Sequence, residues 1–327
     1  MRLQILVPQY HEDEKVIKNL LDSISIQRVE NFDDFEVIIV SDGGDVILSE
    51  DFLNKYPFNI KYIIAEHKGV SATRNRALDE ATADYVMFCD ADDCFFTCVG
   101  LRQILDNLVK GYDVMQSNFI QEIKRPGVPP VYFKATPENN TATFIHGKVY
   151  NRKFLLDNNI RWDEELIYHE DGYFNGLALN LVKKEKLEIC EDPFYMWCEN
   201  SSSVSRQDPY FFVKTYVDMI KAQDHLAQQF LDRGLEDKAA FVMARRIYGA
   251  FFVCVGTLRD HWELEDYFIA ITKVIKDFYK KYKNLWDTLS YDQKDDHYNA
   301  ERKFAIQMGY YRNLVGFDNW FKAVFNN

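Results

Sequence analysis

Short apolar runs alternate with amphipathic stretches through the first half of the chain. Leu3 to Val7 is an apolar run closed by Pro8, and Lys15 to Ile26 then sets Val16, Ile17, Leu20, Leu21 and Ile24 on one helical face. Further apolar runs, at Phe35 to Val40, Ile60 to Ala65 and Tyr85 to Cys89, predict three more strands. Helical patterns cover Gly69 to Ala81 and Leu101 to Val109, and another strand is expected near Val114 to Ser117. Lys124 to Pro130 reads as a loop, Asp171 to Leu181 as a helix, and Leu187 to Cys190 and Tyr195 to Cys198 as two short strands. A strand–helix–strand series of this kind predicts an α/β fold, with a mostly parallel sheet flanked by helices.

After Asp208 the pattern changes. Long amphipathic segments near residues 209–232, 236–258, 262–283 and 297–324 predict an all-helical appendage, so the domains are expected at 1–207 and 208–327. Phe211, Phe212, Tyr216 and Ile220 mark one apolar face there, expected to pack against the rest of the protein.

Composition narrows the function classes. Of 327 residues, 47% are hydrophobic, enough for a substantial core. The net charge of −12 disfavours polymeric nucleic acid as a partner, because polyanions are repelled. The start of the chain has no signal-peptide pattern, and the richest apolar stretch, Tyr248 to Leu258, is short and interrupted by Gly249 and Gly256, so no transmembrane segment is expected. Six cysteines without a paired spacing point to a reducing compartment. The chain is therefore expected in the cytoplasm or peripheral to a membrane.

Three polar clusters follow predicted strands: Pro8 to Glu12, Ser41 to Asp45 and Asp90 to Asp93. In parallel sheets, ligands sit beyond the C-terminal ends of the strands. Asp90-Ala91-Asp92-Asp93 is the sharpest of the three. Three carboxylates in four residues repel one another unless a cation compensates, and Mg²⁺ or Mn²⁺ with oxygen ligands and substrate phosphates does so. A solvated acidic turn is the plain alternative. Ser41-Asp42-Gly43-Gly44-Asp45 permits close backbone approach and sets Asp42 to accept hydrogen bonds from a ribose or base; otherwise it is a strand-ending turn. Gly69 to Asn75 opens a helix whose N-terminus favours an anion such as a diphosphate, and Arg74 adds a fixed positive charge. Glu170-Asp171 opens another helix, where a carboxylate serves either as a general base or as a cap.

In this order the motifs resemble the family 2 glycosyltransferases with the GT-A fold. The matching residues are Val7-Pro8-Gln9-Tyr10-His11-Glu12, Val40-Ser41-Asp42-Gly43-Gly44, Gly69-Val70-Ser71-Ala72-Thr73-Arg74-Asn75, Asp90-Ala91-Asp92-Asp93 and Glu170-Asp171, with Lys148-Val149-Tyr150 as a Lys-aromatic segment. The resemblance covers about the first two-thirds of the chain. It implies a GT-A catalytic domain with a Rossmann-like sheet. It also implies an enzyme that inverts the anomeric carbon as it moves a sugar from a nucleotide-sugar donor, UDP-sugar foremost, with Mn²⁺ or Mg²⁺ as cofactor. Pro8, Tyr10 and Glu12 would line the base pocket with Asp42. Asp90 and Asp92 would bracket the donor, Asp92 holding the metal, and Asp171 would deprotonate the acceptor. Ser203, Ser205 and Arg206 would lie near the diphosphate. Three departures stand out: His11 replaces the usual Asn, Ser41 the usual first Asp of its turn, and His67-Lys68 stand where an Asn is common. The acceptor is not legible; a glycan, a lipid-linked intermediate, a peptide and a nucleobase are all compatible. A nucleotidyltransferase and a non-catalytic nucleotide-sugar-binding protein are the competing classes. The glycine-free, acidic segment Val7 to Glu14 argues against the first, which needs a Gly-rich basic phosphate loop.

Overall fold

A computed structural model describes residues 1–125, 127–136, 143–200, 208–257, 261–307, 309 and 316–325. The chain divides into two compact units, Met1–Ser201 and Ser202–Asn327.

The first unit is built on one nine-stranded sheet in the order β3-β2-β1-β4-β8-β6-β9-β5, with β7 paired to β6. Strands β1 (Leu3–Gln9), β2 (Phe35–Ser41), β3 (Asn59–Ile64) and β4 (Tyr85–Phe88) are parallel, as the alternating series predicts. Beyond β4 the sheet is mixed. β8 (Lys148–Asn151) runs antiparallel to both β4 and β6 (Val114–Arg125), and β9 (Leu187–Trp197) returns parallel to β6. Strand β5 (Cys94–Phe95) closes the edge antiparallel to β9. The core is made by β1, β2 and β4 with helices α1 (Glu14–Ser25) and α4 (Gly100–Leu108), through Ile5, Val7, Ile17, Leu20, Ile39, Met87 and Ile104. Asp13 starts α1 by accepting from the N–H groups of Lys15 and Val16 at 3.0 Å.

Several boundaries differ from the sequence expectation for identifiable reasons. Strand β1 continues past Pro8 to Gln9. Its pairing with β4 ends at Leu6, so no ladder acceptor is left waiting for the N–H that Pro8 lacks. The expected loop at Lys124 to Pro130 is instead the turn of a hairpin. β6 runs to Arg125, Gly127 takes φ 78°, and β7 (Val128–Ala135) follows. Pro129 and Pro130 are tolerated because β7 pairs on one side only. The two short strands expected near 187–198 are one strand, β9, whose register against β6 jumps from Cys190 to Tyr195.

Three further helices complete the unit's frame for the site: α2 (Glu50–Leu53), α3 (Val70–Glu80) and α5 (Arg152–Asp157). A fourth, α6 (Glu170–Leu181), follows His169, which is held in the left-handed conformation at φ 63°.

The second unit is helical: α7 (Phe211–Lys214), α8 (Tyr216–Asp232), α9 (Glu236–Thr257), α10 (Glu265–Thr288), α11 (Tyr291–Gln307) and α12 (Phe317–Phe325). Tyr216 and Ile220 are buried within it, while Phe211 and Phe212 are half-buried. The apolar stretch of α9 is longer than Tyr248 to Leu258. Glu236–Gly256 is long and apolar enough to cross a membrane, yet most of its apolar stretch is buried. It packs against α8, α10 and α11, the arrangement of a core helix.

Candidate active site

Tyr10 and Glu12 follow β1, Asp42 follows β2, and Asp90 to Asp93 follow β4, so three sequence clusters meet at one end of the parallel strands. The Ser41 to Asp45 turn requires its glycines. Gly43 sits at φ 69°, where a Cβ would come 2.5 Å from the His67 nitrogen, and a Cβ on Gly44 would strike the Tyr10 carbonyl.

Asp42 has a role the sequence does not suggest. Its carboxylate is buried and accepts from the N–H of Lys68 at 2.8 Å and of Gly69 at 3.0 Å, and pairs with His67 Nδ1 at 2.9 Å. The anion at the N-terminus of α3 is therefore Asp42 itself, in the place where the sequence pattern predicts a diphosphate. His67, held in this way, stacks on Tyr10 with ring centroids 4.6 Å apart and planes at 13°. The Glu12 carboxylate accepts from the Tyr10 N–H at 2.8 Å, and Pro8 is half-buried beside them in the chain. The result is a half-exposed aromatic platform held from below by Asp42.

Arg74 is a buried, ion-paired arginine: its side chain is 4% exposed and lies over the Trp162 ring at 4.4 Å. Its Nη2 donates to Asp90 at 2.9 Å, and its Nη1 donates to Glu170 and Asp171 at 3.1 Å each. Adjacent residues at a helix start ordinarily point apart, yet Glu170 and Asp171 converge on one guanidinium. Asp171 is not a cap either. Its second oxygen accepts from the Ile145 N–H at 3.1 Å, and the N-cap position belongs to His169.

Three carboxylates around one cation leave an excess of negative charge. Burial pushes the Asp171 carboxyl up to about 7, helped by the charges of Glu170 and Asp90 and opposed by Arg74 and the Ile145 N–H. Asp90 moves the other way, since Arg74 outweighs its burial and holds it below the usual carboxylate range. Burial and the Asp90 charge raise Asp92, which accepts from Asn200 at 2.9 Å. Burial, Asp90 and Asp92 push Asp93 well above that range, and Asp93 accepts from Tyr195 Oη and from the Cys198 N–H at 2.8 Å.

Two features of the acidic turn bear on a metal. Asp92, the sequence candidate, is half-buried, and burial together with the Asp90 charge makes its carboxyl harder to ionise, a condition a divalent cation relieves. Behind it, Asp90, Asp93 and His146 bring one ligand atom each within 4.8 Å of one another. His146 carries no sequence signal for this place; only the packing of its ring against Phe119, Phe144, Tyr195 and Trp197 brings it there. Oxygen-rich donors of this kind suit Mg²⁺ or Mn²⁺. Ser203, Ser205 and Arg206 lie outside the described residues.

Comparison with known proteins agrees with this geometry. The family model for glycosyl transferase family 2 matches residues 4–160. The poly(ribitol-phosphate) beta-N-acetylglucosaminyltransferase TarS of Staphylococcus aureus is 25% identical over 251 residues, covering 72% of this chain and 42% of that protein. The teichoic acid poly(glycerol phosphate) polymerase of Staphylococcus epidermidis is 38% identical over 235 residues, covering 66% and 32%. The chain thus spans less than half the length of these two curated relatives. A crystal structure of S. aureus TarS 1–349 in complex with UDP-GlcNAc covers 97% of this chain and 95% of that one, at TM-score 0.66 and 21% identity. With its motifs gathered at one end of a sheet that shares the TarS fold, the chain carries a glycosyltransferase family 2 region over residues 4–160.

Proposed function

We propose that the chain transfers a sugar from a UDP-sugar to an acceptor hydroxyl, with inversion at the anomeric carbon. The observation that carries this reading is the carboxylate of Asp171. It is held by Arg74 within one cluster with Asp90, and burial sets its proton affinity near neutrality. A base in that range is about half ionised at neutral pH and still takes a proton readily.

In the reaction, Asp171 accepts the proton of the acceptor hydroxyl. The freed oxygen forms a bond to the anomeric carbon as the bond from that carbon to the phosphate oxygen breaks. The electron pair leaves on the nucleoside diphosphate. Attack from the face opposite the leaving group inverts the configuration. Arg74 keeps Asp171 and Asp90 in register, and Asp90 orients the donor sugar. A divalent ion, Mn²⁺ or Mg²⁺, held by Asp92 would supply positive charge to the leaving diphosphate. Tyr10, with Pro8 and Glu12, offers the nucleobase a face, while Asp42 acts at one remove by fixing His67 and the start of α3.

In this reading residues 1–207 are the catalytic domain and 208–327 a helical region. A cytoplasmic or membrane-peripheral location is supported by the free state of all six cysteines. The named relatives handle polyol-phosphate polymers, so poly(ribitol phosphate) is the first acceptor to assay.

Thermal melting with UDP, UDP-GlcNAc and GDP, each with and without Mn²⁺, tests the donor. A ligand present at a hundred times its Kd stabilises the native state by about 2.7 kcal/mol, so the melting temperature should rise with UDP and Mn²⁺. A protein whose melting no nucleotide alters would end the reading.

A further inference from the structure

The Ile145 N–H that reaches Asp171 belongs to a segment held by buried polar groups. The Phe144 carbonyl accepts from Lys148 Nζ and from Asn175 Nδ2, the latter at 2.8 Å. The Asn175 carbonyl in turn accepts from Tyr150 Oη at 2.6 Å. Lys148 is 1% exposed, and Asn175 and Tyr150 are fully buried. Three polar side chains placed so deep cost stability unless each is satisfied. Lys148 and Asn175 converge on one peptide, Tyr150 holds Asn175, and the N–H of that peptide points at the carboxylate read as the base.

We propose that Lys148, Asn175 and Tyr150 form a brace that positions the catalytic base through the Phe144–Ile145 backbone. This rests on the reading of Asp171 as the base. An N–H donated to a carboxylate favours its charged form, so a loosened brace leaves Asp171 harder to ionise. The other groups acting on Asp171 are Arg74 from α3, Glu170 from α6, Asp90 after β4, and Lys148 and Tyr150 from β8. Arg74 donates to Asp90, Glu170 and Asp171, and the Phe144 carbonyl is left to Lys148 and Asn175, so the acidic cluster acts on charge, the brace acts on orientation, and Lys148, as a cation, acts on both.

The test is a pH titration of the full chain carrying isotope-labelled aspartate, followed by NMR. The carboxyl resonance missing from Asp171→Asn identifies Asp171. In parallel, slow hydrolysis of UDP-GlcNAc with Mn²⁺ is followed against pH. Lys148→Met should move the Asp171 titration, and the acid limb of hydrolysis, up by roughly one pH unit, the scale of one lost hydrogen bond. UDP affinity should stay unchanged. Tyr150→Phe, which keeps shape and removes only the bond to Asn175, should move both in the same direction by less, and it carries the test if Lys148→Met does not fold. A purely packing role would lower activity without moving either titration, and an unmoved Asp171 resonance in a folded variant overturns the brace. If Asp171→Asn hydrolyses the donor as fast as the parent, the base reading itself is lost. If it does not, and the titrations still fail to move, only the brace is lost.

Discussion

Arg74 in the first unit and Arg245 in the second both pair with acids inside the protein, but in different ratios. Arg74 faces three carboxylates, Asp90, Glu170 and Asp171. Arg245 meets one, Glu301, which is 5% exposed, and neighbouring Arg246 donates to the Tyr216 hydroxyl at 2.7 Å. The Arg245–Glu301 pair is matched one to one, and the glycine beside it has a packing reason: a Cβ on Gly249 would collide with the Tyr216 hydroxyl and sit 3.1 Å from Glu301. The sheet cluster is not balanced. Burial, with the charges of Glu170 and Asp90 added to it, raises Asp171 to about 7 and so stores the capacity to take up a proton. Balanced buried charge serves as scaffold, whereas a deliberate surplus makes chemistry available at some cost in stability.

The largest effect that sharpens this contrast is on turnover. Asp171→Asn keeps size but cannot accept a proton, and kcat should fall by about 10²–10⁴-fold with donor affinity nearly unchanged. In the parent, turnover should rise as pH increases through about 7, where Asp171 ionises. Stability should run the opposite way. The folded state keeps a proton on Asp171 that the unfolded chain releases in the ordinary carboxylate range, so this group's contribution declines as pH rises from that range to about 7. Asp171→Asn should therefore melt no lower than the parent, and above pH 7 somewhat higher. A folded variant with full turnover would return Asp171 to a structural role and turn attention to Glu170.

Removing the cation should break the cluster from the other side. Arg74→Met leaves three carboxylates together in a buried site and should cost about 3–5 kcal/mol, read from denaturant unfolding. Parent-like stability would mean that the surplus is dispersed by solvent and is not a stored feature.

A smaller effect separates the two possible places for a metal. Asp92→Ala should weaken Mn²⁺-dependent UDP binding by calorimetry, on the order of tenfold or more, because the phosphates lose their bridging cation. His146→Ala should leave that affinity in place. The reverse pattern would move the ion inward to Asp90, Asp93 and His146.

The smallest effect tests the balanced cluster. Glu301→Gln should destabilise the protein by about 1–3 kcal/mol, reduced by the part-exposure of Arg245. Its sign should be opposite to that of Asp171→Asn above pH 7. Matching signs would erase the distinction between scaffold and stored charge.

Local pattern carries much of the first unit's frame. Strands β1 to β4, helices α1, α3, α4 and α6 and the long helices α8, α9 and α10 follow from apolar spacing and turn residues, which act over a few positions, whereas the one segment expected near 297–324 is two helices, α11 and α12. The acidic turn at Asp90 to Asp93 and the Glu170-Asp171 pair are recognisable as motifs for the same reason. His67 stands out along the chain only as a departure, and its use is as a bridge between Asp42 and Tyr10.

The sequence by itself determined which residue types are present and which strand ends carry them, because both depend on local pattern. Only the tertiary structure decided who meets whom. Arg74 finds Glu170 and Asp171 across 96 and 97 positions, and Cys198 reaches Asp93 across 105. The mixed half of the sheet, with β8, β6 and β9 side by side, is what brings Ile145, Lys148 and Tyr195 to the acidic cluster. Proton affinities belong to the same category. A carboxylate near 7 in Asp171 and one below the usual range in Asp90 arise from the same residue type, because burial and the distance to one guanidinium set the balance and no pattern along the chain encodes either.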